Sequence, residues 1–224
     1  MIETFANADA LADAAAAWIL DGLADGLVAR GHATLVGTGG RSPGPVYDRL
    51  SQAELDWGRV TVTLSDDRFV SPNHPDSNQG LVRRRLLVGA AAAASFQPLR
   101  YDVADEDASA EAAEPHIRPL VPFDILMLGM GEDGHIASLI PGDPRLAQGL
   151  DPAGDRLVQG VPAGLGAPPL PRMTLTLPAL ASARRILILT SGEARRRVLE
   201  GGDVRPVHVL AETTTSPLRV LWTP

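Results

Sequence analysis

Hydrophobic and polar positions along this chain follow two rhythms, one helical and one extended. Residues 9–30 are rich in alanine and leucine, and Trp18, Ile19 and Leu23 recur at helical spacing. Asn7 or Asp9 stands where it can cap that helix. Residues 32–36 form a short apolar run that reads as a buried strand, broken by Gly37-Thr38-Gly39-Gly40-Arg41-Ser42-Pro43. The pattern then predicts a helix over 44–50, a strand over 60–64, a polar loop over 65–75 and a helix from about 76 to 94. A strand is predicted over 99–103. The acidic, alanine-rich stretch 104–114 is either a helix or a mobile surface segment. Residues 124–128 are an apolar strand ended by Gly129-Met130-Gly131. Residues 142–171 hold many Gly and Pro and predict a loop with one short strand near 157–161. Residues 185–190 predict a strand, 193–200 a helix and 218–222 a final strand.

Short strands alternating with helices predict parallel strands joined by right-handed crossovers, with helices on both faces. The expected class is therefore α/β: a three-layer sandwich around a mostly parallel, Rossmann-like sheet. No fixed-period repeat and no linker divides the chain, so residues 1–224 are expected to form a single domain. Sheets of this kind bind ligands beyond the carboxyl ends of their strands. That directs attention to the loops after Val36, Leu64, Leu128 and Thr190.

Composition narrows the chemistry. The chain has no cysteine, which excludes disulfides, thiolate metal sites and a cysteine nucleophile. All 20 basic residues are arginine, so a lysine Schiff base is excluded as well. A net charge of −7 argues against nucleic acid as a partner. An anionic ligand would need arginines gathered locally against that acidic background. The N-terminus lacks a basic leader and a cleavage site, and no apolar stretch is long enough to span a bilayer. Cytoplasmic residence, away from membranes, is the expectation.

Three loops and two arginine sites carry candidate chemistry. In the first loop, Gly39, Gly40, Arg41 and Ser42 offer backbone N–H groups and a hydroxyl, and Pro43 opens a helix whose N-terminus favours an anion. The loop lacks the Lys-Ser/Thr of a nucleotide P-loop and the dinucleotide fingerprint. The second loop, Ser65-Asp66-Asp67-Arg68, places two acids and an arginine at a strand end. It reads equally as a solvated charge cluster. The third, Gly129-Met130-Gly131-Glu132-Asp133-Gly134-His135, sets an acid two residues before a histidine, the natural general base near neutral pH. Either Asp133 or Asp66 could orient that ring. His32 and His208 lack such a context. No second histidine sits at metal-ligand spacing from His135, which disfavours a metal site, and no cofactor is expected. Arg172 and Arg195 are candidate phosphate ligands, since arginine grips phosphate in a bidentate fork. Arg195, Arg196 and Arg197 are consecutive on a helix, so at least two of them point elsewhere.

Taken together and in this order, the loops resemble those of the 6-phosphogluconolactonases, in the glucosamine/galactosamine-6-phosphate isomerase superfamily. The matching segments are Gly39-Gly40-Arg41-Ser42-Pro43, Asp66-Asp67-Arg68 with Ser77-Asn78, and Leu128 through Ile136-Ala137-Ser138-Leu139-Ile140-Pro141. Asp67 stands where the family usually has Glu, Ile140 where it has Phe, and Arg195 where lysine is common. The resemblance implies the fold shared with glucosamine-6-phosphate deaminases. It implies metal-free hydrolysis of a sugar-phosphate lactone, 6-phosphogluconolactone, in the oxidative pentose phosphate pathway. On this reading His135 is the base, supported by Asp133 or Asp66. Arg68 or N–H groups near Gly131 meet the oxyanion, and Gly39, Gly40, Arg41, Ser42, Arg172 and Arg195 hold the phosphate. A monomer or a weak homodimer is expected. Two other readings remain: a glucosamine-6-phosphate deaminase-like isomerase, and a non-catalytic sugar-phosphate sensor. The first needs an acid where this chain has Ser138-Leu139-Ile140-Pro141.

Overall fold

The computed structural model describes residues 2–224. Helix α1 (Ala8–Arg30) begins where the Asn7 side chain accepts the Ala10 N–H at 2.9 Å. Its apolar stripe, including Leu11, Ile19 and Leu23, is fully buried. Seven parallel strands form the main sheet in the order β1 (Ile2–Thr4), β10 (Leu218–Thr223), β9 (Arg185–Ser191), β6 (Ile125–Gly129), β2 (Ala33–Gly37), β3 (Val60–Leu64), β5 (Ser95–Phe96). The central strands are apolar on both sides, as a sheet buried on both faces requires. The remaining helices are α2 (Pro43–Gln52), α3 (Asn78–Arg85), α4 (Glu106–Ile117), α5 (Leu146–Gly149), α6 (Leu177–Ala181), α7 (Glu193–Glu200) and α8 (Pro206–Thr213). No helix among the described residues is long and apolar enough to cross a membrane.

A second sheet, of which the sequence predicted only the strand near 157–161, stands beside the carboxyl ends of the first. It is antiparallel, with β4 (Asp66–Arg68) and β7 (Val158–Val161) on either side of β8 (Arg172–Leu175). Its members are short, and β4 is polar throughout. Asp66-Asp67-Arg68 has no apolar alternation, and it becomes a strand only because Arg172–Leu175 lies alongside. Other boundaries moved as well. The predicted strand at 99–103 is not one; Ser95–Phe96 pairs with β3 instead. The predicted helix over 76–94 stops at Arg85, because Val88 is extended, and a single-turn helix at Gly89–Ala93 follows. The 104–114 segment is helical as α4, with the Asp105 side chain accepting the Ala108 N–H at 2.9 Å.

The sheet is stitched at its amino-terminal edge by one buried carboxylate. Asp124, just before β6, accepts the Thr34 N–H at 2.8 Å and the Thr34 hydroxyl at 3.2 Å, while its own N–H donates to Thr34 Oγ1 at 2.8 Å. Arg30, at the end of α1, pairs with the same carboxylate, and Arg184 stands 3.6 Å away. Removing the acid strands a buried N–H and leaves two arginines without their partner. Asp124→Ala is therefore expected to lower unfolding stability by about 2–4 kcal/mol in urea denaturation. A loss below ~1 kcal/mol would contradict this account of the edge.

Candidate active site

The loops after β2, β3, β6 and β9 open onto one cavity of about 890 Å³. All ten residues singled out from the sequence line it: Gly39, Gly40, Arg41, Ser42, Asp66, Arg68, Asp133, His135, Arg172 and Arg195. Gly129, at the end of the central strand β6, forms part of its floor.

The β6 loop is tightly wound. Gly131 N–H donates to the His135 carbonyl at 3.0 Å and Gly134 N–H to the Gly131 carbonyl at 3.1 Å. The His135 ring lies so close over Gly131 that a β-carbon there would stand 2.2 Å from it, which only glycine avoids. His135 Nδ1 is 2.6 Å from Asp133 Oδ1, and the same oxygen accepts the His135 backbone N–H at 3.2 Å. An ionised carboxylate can only accept, so in the neutral ring Nδ1 carries the proton and Nε2 keeps its lone pair. Burial pushes the Asp133 carboxyl up, but the His135 charge and its hydrogen bonds outweigh this and hold it below the ordinary value. The ring is partly exposed, at 27% for the side chain.

Asp66 is not beside His135. It is buried under the cavity and accepts from Ser138 Oγ at 2.6 Å and from Ser65 Oγ at 3.1 Å. Ala137 precedes Ser138 with φ 49°, in the left-handed region, which costs an alanine about 1–2 kcal/mol. This turn lets the Ser138 N–H reach Thr174 Oγ1 at 3.0 Å while its hydroxyl meets Asp66. Of the two acids offered as partners of the base, Asp133 therefore touches it and Asp66 braces the loop behind it.

Arg68 and Arg172 face each other across the β4–β8 pair. Arg68 Nη1 donates to the Asp76 carbonyl at 2.9 Å and to Asn78 Oδ1 at 2.6 Å. Arg172 is buried, donating to Ser138 Oγ at 3.3 Å and to the Pro168 carbonyl at 2.8 Å, with Asp66 Oδ2 3.9 Å away. Burial pushes the Arg172 guanidinium below its usual range; Arg68 adds to the push and Asp66 opposes it. Arg172 thus has one buried carboxylate nearby, and the recorded hydrogen bonds of the Arg68 guanidinium go to uncharged oxygens, which leaves the wall attractive to a further anion. Of the three consecutive arginines, Arg195 lines the cavity, donating from Nε to the Met130 carbonyl at 3.0 Å. Arg196 lies over the Trp222 ring at 4.7 Å, and Arg197 lines a separate shallow pocket.

Of the N–H groups near Gly131 offered as oxyanion donors, that of Gly131 itself is already committed to the His135 carbonyl. Asp67 faces away from chemistry. It is buried and accepts the N–H groups of Asn78 at 2.7 Å, Arg68 at 2.8 Å and Gln79 at 3.1 Å, which anchors α3. Ser138 and Asn78 went unassigned although both lie within the quoted motifs. A small hydroxyl residue and an amide carry no sign in sequence of what they will touch. Among the described residues no three His, Asp or Glu side chains stand close enough together to share a metal ion.

Residues 6–216 match the family of glucosamine-6-phosphate isomerases/6-phosphogluconolactonase, and the chain belongs to that family. Within it the chain stands with the 6-phosphogluconolactonases. It is 44% identical over 223 residues to a 6-phosphogluconolactonase of Caulobacter vibrioides, covering 99% of this chain and 96% of that one. It is 40% identical to one of Pseudomonas aeruginosa, covering 100% and 94%. The crystal structure of a 6-phosphogluconolactonase from Shewanella baltica superposes with a TM-score of 0.90 at 30% identity, covering 100% and 97%. A monomeric glucosamine-6-phosphate deaminase shares the fold, with a TM-score of 0.79 at 20% identity, covering 99% and 96%.

Burial, with a contribution from the Asp66 charge, pushes the Asp67 carboxyl up to about 6 against the three N–H donors. An acid whose pKa is raised on folding holds its proton more tightly in the folded state. Its stabilising contribution is full below about pH 4 and is lost as pH rises through 6. The stability of the wild type relative to Asp67→Asn is therefore expected to fall, by on the order of 2 kcal/mol, between pH 4 and 7 in paired urea titrations. A difference that grows over that range would reverse the assignment.

Proposed function

We propose that this enzyme hydrolyses 6-phospho-D-glucono-1,5-lactone to 6-phospho-D-gluconate with His135 as general base. The observation that carries the reading is the Asp133–His135 pair at 2.6 Å, which leaves Nε2 free at the cavity wall. Nε2 takes a proton from water as the water oxygen bonds to the lactone carbonyl carbon. The carbonyl electrons move onto oxygen, and the negative charge meets Arg68. The tetrahedral centre then collapses, the bond from C1 to the ring oxygen breaks, and the imidazolium returns its proton to that oxygen. The Asp133 carboxylate stabilises the imidazolium between the two transfers.

The other end of the substrate supplies position. The phosphate lies against the Gly39-Gly40-Arg41-Ser42 segment at the start of α2, with Arg195 and Arg172 as cationic partners. The anion also relieves the repulsion between Arg68 and Arg172, so binding energy at the phosphate is used to fix the ring beneath His135. A lactone is already activated, and base catalysis of about 10²–10⁴-fold with positioning meets the need. The curated relatives named above carry the same activity in their names, and their identity extends over the full chain.

The test is hydrolysis of freshly generated 6-phosphogluconolactone, followed by acid release above the spontaneous rate. His135→Ala is expected to lose about 10²–10⁴ in kcat with KM nearly unchanged. Asp133→Asn is expected to lower kcat by a smaller factor, again with KM held. Near-normal turnover by folded His135→Ala would remove the base, and a spontaneous rate from the wild type would remove the reaction.

A further inference from the structure

The first loop has a support that none of the motifs contains. Tyr47, on the second turn of α2, is completely buried. Its hydroxyl donates to the Thr38 carbonyl at 2.7 Å and accepts the Thr38 N–H at 2.8 Å. One hydroxyl therefore closes on both polar groups of a single residue, using its one proton and a lone pair. Thr38 is the first residue after β2 and leads directly into Gly39, against which the Asn78 amide packs, and Gly40, where φ is 94°; neither glycine has a side chain of its own to fix the backbone. Glycine loops are the most mobile backbone in a protein, yet an anion site needs N–H groups held in one direction. Approach of the hydroxyl is permitted by Gly37: a β-carbon there would stand 2.7 Å from Tyr47 Oη. A Ser65 hydroxyl 3.2 Å from Thr38 Oγ1 holds the same residue from the β3 side.

We propose that Tyr47 is a positioning residue for substrate phosphate, acting through Thr38 to hold the Gly39–Gly40 backbone in its anion-binding conformation. The inference rests on the reading of that loop as the phosphate site. Tyr47 lines no part of the cavity and touches no substrate, so its effect is confined to affinity for the phosphorylated end of the ligand.

Tyr47→Phe keeps the ring in the core and removes only the hydroxyl. The steady-state hydrolysis of 6-phosphogluconolactone is measured with inorganic phosphate as competitive inhibitor, after a thermal melt of each variant. The expected result is a rise of about tenfold in KM and a parallel rise in the phosphate Ki, with kcat changed much less. Gly37→Ala is the second variant; it displaces the same hydroxyl from the other side and is expected to move both constants the same way. If phosphate does not compete in the wild type, the reading of the loop fails and the inference fails with it. If phosphate competes in the wild type but its Ki is unchanged in both variants, the inference alone fails. A fall in kcat with KM and Ki unchanged also overturns it, since that is what general loosening of the core would give.

Discussion

The cavity depends on one buried carboxylate. Asp66 sits where the parallel sheet ends and the antiparallel one begins, and the loops after β2, β3 and β6 lean on it directly or through one neighbour. Ser138 ties it to the β6 loop, Ser65 to the β3 end and, through Thr38, to the β2 loop. Asn78 Nδ2 donates to the Asp66 carbonyl at 2.8 Å, and Arg172 completes its surroundings. A charge in such a place is costly unless it is fully hydrogen-bonded. That requirement is what holds the loops in register: each donor that relaxed away would expose the acid to an unsatisfied interior. The rigidity that a preorganised site needs thus comes from the expense of leaving a carboxylate unpartnered.

The arrangement also separates two electrostatic tasks. The chain as a whole is acidic, at −7, yet the cavity wall carries four arginines against three acids. An anionic substrate is repelled by the bulk of the surface and drawn to one region of it, which favours productive encounter over random adhesion. Of the three acids, Asp66 lies beneath the surface and Glu132 stands 3.5 Å from Arg195. Asp133 is engaged with His135. None of them is left to oppose the phosphate unpaired.

Much of this was legible in the sequence, and the limits have physical causes. Strands β3 and β6 and helix α7 declared themselves because burial on both faces or one strong helical stripe leaves little ambiguity. The glycines and the histidine of the β6 loop marked the candidate base. The second sheet was legible only in β7, expected near 157–161; β4 is made of Asp66, Asp67 and Arg68, residues that favour loops, and only its pairing with β8 makes it a strand. The partner of His135 was undecided between two acids. Sequence gives distance along the chain, and Asp66 reaches the loop from 72 residues away by way of Ser138 rather than the imidazole. Tyr47 was invisible as anything but a core aromatic, since its contribution lies in a hydroxyl whose partner is backbone.

The proposed catalytic pair and the proposed substrate-holding elements differ in how they are assembled. Asp133 and His135 belong to one turn, closed by hydrogen bonds within five residues. The surfaces that would grip the ligand are gathered from the β2 loop, α7 and the second sheet, whose mutual placement needs the whole tertiary structure. Local turns persist through partial openings that long-range packing does not survive. Warming or mild denaturant should therefore erode recognition before reactivity. A partly loosened molecule would keep an activated imidazole but lose its preference for the phosphorylated ligand, so that selectivity, more than chemical competence, marks the intact fold.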